Sequence, residues 1–243
     1  MVKSPFEVMD VEYDPHDSQL TRTNTSAENA LSREEYDQLL DGVRRLDPLY
    51  DLVLEFVITV TGRLGLRVGE LMHIRPEWVN YEKEWIHVPA HEKCQRGRDG
   101  GICGMCRNLA KQTAERNDIS QEEAEKLYWK SKTPRSERKV PYSFSDRCGR
   151  VVTEYFAEFD KMQGSRNTIV RRLNKAVEMS ELDRDRVTPH GLRATAATYH
   201  AGTGIDVWTL QAMMGWAYAA TAEHYILNSG ERTKIVLEEH HSK

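Results

Sequence analysis

The chain has 243 residues, 39% of them hydrophobic and 30% charged, with a formal net charge of −4. That length supports one large core or two small ones, and the composition is that of a globular protein tilted towards polar residues. No membrane span is expected, because the longest apolar run, Leu52 to Val60, is broken by Glu55.

Residues 1–30 are polar, with Pro5, Pro15 and a Thr/Ser/Asn cluster at Thr21–Ser26, and read as an arm or linker with little core of its own. They contain no apolar signal core, so a cytoplasmic location is expected. Ser32 and Glu35 form a capping box ahead of a helix that places Tyr36, Leu39, Leu40 and Val43 on one face. A second, more buried helix is predicted over Pro48–Val60. Gly62 and Gly65 interrupt the chain before a third, which holds Arg67 in its first turn and offers Leu71 and Met72 for burial.

Alternating aromatic, β-branched and polar residues predict strands at Trp78–Tyr81, Trp85–Val88 and Lys139–Tyr142. An insertion over 90–131 lies between the second and third strands and carries three of the four cysteines. Its later half, Ser120 to Trp129, opens on a second capping box (Ser120, Glu123) and reads as a helix. Helices then follow at Asp146–Asp160, Asn167–Met179, Pro189–His200 and Asp206–Met214, with a short one bearing Tyr225. Thr188 is placed as an N-cap with Pro189 at the first helical position, where proline is favoured. The expected fold is mainly α with a small antiparallel β-sheet (α+β), its body over 31–235 and a tail at 236–243.

The segment Thr188–Tyr225 concentrates the chemistry. His190 and Arg193 stand one helical turn apart, Trp216 follows Gly215, and Tyr225 comes nine residues later. A guanidinium matches two phosphate oxygens at once, imidazole and indole N–H groups donate further hydrogen bonds, and a phenol can form a covalent phosphoryl-enzyme bond. Together these are groups suited to attack on a phosphodiester. Each has a plainer alternative: Arg67 could simply pair with Glu70, Tyr225 could be a core tyrosine beside Ile226, and Trp216 could be a packing residue at a helix junction.

The order of the motifs resembles the catalytic domain of tyrosine recombinases of the phage-integrase type, over roughly residues 30 to 235. TGRLGLRVGELMHI is similar to the family's first-arginine motif, which makes Arg67 the first phosphate-binding arginine. SKTPRSERKVPYS resembles its β-hairpin, with Lys132 as general acid and Lys130 and Lys139 as neighbouring alternatives. HGLR supplies His190 and Arg193, Gly215-Trp216 stands at the usual Gly-His position, and Tyr225 is the nucleophile. The resemblance implies the DNA breaking-rejoining fold and site-specific DNA recombination or integration through a 3′-phosphotyrosine intermediate. It implies no metal or nucleotide in catalysis, and a homo-tetramer on double-stranded DNA of a mobile element. A type IB topoisomerase-like nicking-closing enzyme uses the same residues, and a non-catalytic DNA-binding regulator derived from an integrase is the third reading. Most members carry a helical core-binding domain ahead of the catalytic one, whereas thirty polar residues precede Leu31 here.

Two further features stand apart. His91, Cys94, Cys103 and Cys106 supply four soft or borderline metal ligands within sixteen residues, a candidate structural zinc site that would staple an insertion poor in apolar residues. Free thiols are the alternative, and Cys148 reads as ordinary. The overall acidity does not suit a DNA-binding protein, but a local basic face decides binding. Ser165 to Lys175 holds Arg166, Arg171, Arg172 and Lys175 with no acid, so Arg171, Arg172 and Lys175 are the candidate DNA contacts, against the plainer reading of a solvated helix face.

Overall fold

Capping chemistry sets the first helix, α1 (Arg33–Val43): the Ser32 hydroxyl accepts from Glu35 N, and the Glu35 carboxylate accepts from Ser32 N at 2.8 Å. Its Tyr36, Leu39, Leu40 and Val43 are all buried, as the 3.6-residue period demands. The computed structural model describes residues 26–46, 48–131 and 136–227, with positions 233, 237, 238 and 241. The arm as far as residue 25, most of the 236–243 tail and Lys132 therefore lie outside the described residues.

Helix α2 (Pro48–Gly62) is the hub. Val53, Leu54, Phe56, Val57, Ile58 and Val60 are buried, and the helix contacts α1, α6 (Asp146–Glu158), α7 (Arg166–Ser180) and α8 (Pro189–Gly202). A helix apolar around most of its surface belongs in the interior, and Glu55, an acidic exception, pairs with Arg147 and Arg150. Phe56 stacks on Tyr155 of α6 at a centroid distance of 3.7 Å, and full burial of such a side chain contributes about 1.5–3 kcal/mol.

Strands β1 (Val79–Asn80), β2 (Trp85–Val88) and β3 (Arg138–Pro141) form one antiparallel sheet in that order, with Ile86 opposite Val140 and Val88 opposite Arg138. The third strand begins one residue earlier than predicted. The insertion holds two helices, α4 (Gly104–Asn117) and α5 (Gln121–Lys126). The first was not expected, because its buried stripe is Cys106, Ala110 and Ala114, too small to register as apolar periodicity. The second starts from the predicted Ser120 capping box but stops three residues short of Trp129. Tyr128 and Trp129 leave the helix, and their carbonyls accept hydrogen bonds from Cys94 N and Glu92 N, each at 2.9 Å. That extended path buries Trp129 against Trp78 and His73.

Helix α3 (Val68–His73) precedes the sheet, and α9 (Val207–Met214) and α10 (Ala219–Leu227) close the chain. A second, smaller core joins Ala194, Ala197, Ala201, Leu210, Met214, Ala222 and Tyr225, with Ala27 and Ala30 packed on it. Among the described residues no helix is long and apolar enough to cross a membrane.

Candidate active site

Helix α9 ends at Gly215, which adopts the left-handed conformation (φ +62°), a geometry glycine reaches without penalty. The last carbonyls of any helix lack intrahelical donors. Here three consecutive ones are taken by guanidiniums from three distant elements. Arg138 Nε donates to Met213 O at 2.7 Å, Arg193 Nη2 donates to Met214 O, and Arg67 Nη2 donates to Gly215 O at 2.6 Å. Cations at the negative end of a helix dipole are in their favourable place.

Glu70 holds the arginines together. It is 2% exposed, receives Arg138 through two parallel bonds of 2.9 and 2.8 Å, and receives Arg67 Nη1 at 2.9 Å. Arg67 is the N-cap of α3 rather than a residue of its first turn, and its backbone N–H also donates to Glu70 at 2.8 Å. The plain reading of Arg67 as the partner of Glu70 is thus correct as far as it goes. Burial alone would raise the Glu70 carboxyl, but the charge and hydrogen bonds of Arg138, with Arg193 and Arg67, hold it down at about 2.

Arg193 lies on the second turn of α8, buried at 7% exposure, and Nη1 donates to Gly65 O. Burial, then the like charge of Arg67, pushes its guanidinium well below the usual range, with Glu70 opposing. Arginine nevertheless stays protonated in proteins. Three guanidiniums therefore surround one carboxylate, a local surplus of two positive charges that an anion would relieve.

Trp216 follows this turn. Its ring stacks on Tyr225 of α10 at 5.3 Å with an interplanar angle of 12°, and Arg193 sits over it at 5.9 Å. Tyr225 is 8% exposed and within electrostatic reach of Arg193. Of the six candidates, Arg67, Arg193, Trp216 and Tyr225 meet around one turn. His190 is exposed on the first turn of α8, directly after the Thr188 N-cap and Pro189. Of the three lysines, Lys139 points to the face of β3 opposite Arg138 and lies over the Trp85 ring at 4.7 Å. Lys130 lies over Tyr128 at 5.0 Å.

Sequence reasoning missed Arg138 and Ser136, whose hydroxyl accepts from Arg67 Nη1 at 3.2 Å. The signal for Arg138 was present: on a strand of period two it shares the inward face with Val140.

The cysteine cluster needs a correction. His91 is exposed, and its Nε2 donates to Lys126 O at 3.0 Å. The imidazole that meets Cys94, Cys103 and Cys106 is His73, the last residue of α3, and the four ligand atoms lie within 4.8 Å of one another. Spacing within the insertion could not reveal a ligand on another element. None of the four cysteines is in a disulfide, and all are buried. In the basic run, Arg171 and Lys175 are exposed on α7, whereas Arg172 is half-buried and close enough to Tyr155 to lower its phenol, which burial raises to about 12.

The phage integrase family matches residues 29–232, and the chain belongs to it. Tyrosine recombinase XerA of Pyrococcus furiosus is 25% identical over 209 residues, which is 86% of this chain and 60% of that protein. Tyrosine recombinase XerD of Caulobacter vibrioides is 24% identical over 216 residues, 87% of this chain and 61% of that one. The chain thus spans about three fifths of the length of each of these two relatives. Among solved structures, a XerA recombinase aligns with a TM-score of 0.56 at 19% identity, over 87% of this chain and 63% of that one. The Tn1549 transposon integrase in complex with transposon right end DNA gives 0.59 at 16%, over 88% and 66%. At that identity the likeness is one of fold.

Proposed function

We propose that this chain is the catalytic part of a tyrosine site-specific recombinase that cuts and rejoins double-stranded DNA. The observation that carries the reading is the α9–α10 turn, where Arg67 and Arg193 grip consecutive carbonyls and the next residue stacks on Tyr225. In this reading the Tyr225 oxygen attacks a phosphodiester phosphorus. The P–O5′ bond breaks, a 3′-phosphotyrosine forms, and the free 5′-hydroxyl of another strand reverses the step. Bond energy is kept in the intermediate, so neither nucleotide nor metal is required.

Arg67 and Arg193 would stabilise the extra charge on the non-bridging oxygens of the pentavalent state. Their bonds to carbonyls and to Glu70 fix each fork, so little reorganisation remains when phosphate arrives. A phenol with an ordinary pKa of about 10 is protonated at neutral pH, and His190, with the arginine field, would assist loss of its proton. Lys132 would protonate the departing 5′-oxygen. The indole of Trp216 is a donor only, so it would orient phosphate or Tyr225 without moving a proton. Assembly as a homo-tetramer on two DNA sites, with Arg171 and Lys175 against the backbone, completes the proposal.

The test is to incubate the protein with nicked half-site DNA and separate the products under denaturing conditions. A covalent protein–DNA adduct is expected with the natural chain and none with Tyr225→Phe, although that variant still binds DNA. An adduct that persists in Tyr225→Phe removes the nucleophile assignment.

A further inference from the structure

We propose that His73, Cys94, Cys103 and Cys106 bind one Zn²⁺ tetrahedrally and that this ion fastens the 90–131 insertion to α3, the helix that Arg67 caps. Cys103 Sγ and Cys106 Sγ lie 3.6 and 3.2 Å from His73 Nε2. A tetrahedral ion with ordinary Zn–S and Zn–N lengths separates sulfur from nitrogen by about 3.6 Å and sulfur from sulfur by about 3.8 Å. The two sulfur–nitrogen separations lie within about 0.4 Å of that value and all four ligand atoms lie within 4.8 Å of one another, so shifts of about an ångström or less complete the tetrahedron. Three thiolates and an imidazole form a closed structural set for zinc, with sulfur selecting against harder cations.

The surroundings of the four groups point the same way. His73 Nδ1 is 2.8 Å from Gly69 O. A carbonyl only accepts, so Nδ1 carries the hydrogen and the Nε2 lone pair faces the sulfurs, the orientation a second-shell carbonyl imposes on a metal-binding histidine. Backbone amides serve the thiolates: Cys103 N donates to Cys94 Sγ at 3.4 Å and Cys106 N donates to Cys103 Sγ at 3.5 Å. Cys103 is also the N-cap of the fourteen-residue α4, where the dipole favours a thiolate.

The ion would add a coordinate tie between two parts already joined by the stacking of Trp129 on His73 and the ion pair of Arg75 with Glu92. Beyond the cysteines, the insertion buries Ala110, Ala114 and Ala124, with Tyr128 and Trp129 at its exit. Helix α3 has six residues, with Arg67 at its head, Glu70 in its middle and His73 at its end. The insertion leads back to Ser136 and Arg138, which bond Arg67 and Glu70. Zinc at His73 would thus fix α3 from one end while the arginine network fixes it from the other. Only the consequence for catalysis rests on the recombinase reading.

Metal analysis of the full chain purified without chelator should find about one zinc per chain. His73→Ala and Cys103→Ser should each retain less than about a tenth of that, and His91→Ala should retain all of it. The natural chain, stripped and loaded with Co²⁺, gives a folding-independent check through thiolate-to-cobalt charge transfer and tetrahedral d–d bands. Metal-free natural protein without those bands, or zinc lost from His91→Ala and kept by His73→Ala, overturns the site. Without DNA, chelation should speed amide hydrogen exchange over residues 68–74 by at least about tenfold, and unchanged exchange overturns the fastening. A chain that holds zinc yet makes no adduct with half-site DNA sinks the recombinase reading and leaves the metal site standing.

Discussion

Glu70 decides more than any other single residue, because it is the one carboxylate among three guanidiniums. Glu70→Gln keeps the shape and removes the charge, leaving Arg138 buried without a counter-ion, and breaking such a pair costs about 3–5 kcal/mol. The pH dependence follows from the direction of the shift. A carboxyl held at about 2, against an ordinary 4.5, contributes stability that is fully present above pH 4.5 and is lost as pH falls towards 2. The depression corresponds to about 3 kcal/mol. Denaturant unfolding of both chains should therefore show a large gap at pH 7 that narrows from pH 5 downwards. A gap that stays constant to pH 2.5 would show that the ionised carboxylate is not what the cluster depends on. Loss of Glu70 should also slow adduct formation, since Arg67 and Arg138 lose the group that orients them.

At the level of elements, the turn between α9 and α10 connects the proposed phosphate-binding groups to the proposed nucleophile. Gly215 is required there twice over: its φ is +62°, and a Cβ would lie 3.0 Å from both Cδ and Nη1 of Arg138. Gly215→Ala should cost about 1–2 kcal/mol from backbone conformation alone, with a further loss as Arg138 is displaced. Its adduct yield should fall more steeply than its stability, measured side by side by gel and thermal melt. Equal adduct yield in the folded variant would deny the turn its positioning role. Elements with a local signal were legible in sequence: the Ser32 and Ser120 capping boxes, the Thr188 cap and three strands all stand within a few residues of expectation. What sequence could not deliver was long-range pairing through small or polar residues. Helix α4 hides behind alanines, and His73 lies twenty-one positions ahead of the first cysteine it meets.

For the whole molecule, the proposed function requires a chain of net charge −4 to hold a polyanion. Helix α7 offers one answer, and the structure divides its basic run. Ile169, Leu173, Ala176 and Val177 face the core, Arg172 is drawn towards Tyr155, and Arg171 and Lys175 are exposed. Those two are four residues apart and so share a helix face. The chain then turns through Arg186, anchored to Glu35 at 2.6 Å, into the cap of α8 that precedes His190 and Arg193. The proposed DNA face includes this exposed side of α7. Each phosphate contact adds about 0.9 to the slope of log K against log salt. Arg171→Ala with Lys175→Ala should therefore lower that slope by about 1.8 and weaken binding alike for all sequences, whereas Arg172→Ala should move it less. Titrations of labelled duplex at several salt concentrations measure this directly, and the adduct chemistry of Tyr225 should persist on whatever DNA remains bound. An unchanged slope in the double variant would transfer the DNA face from α7 to another surface, the zinc-stapled insertion being the next to test.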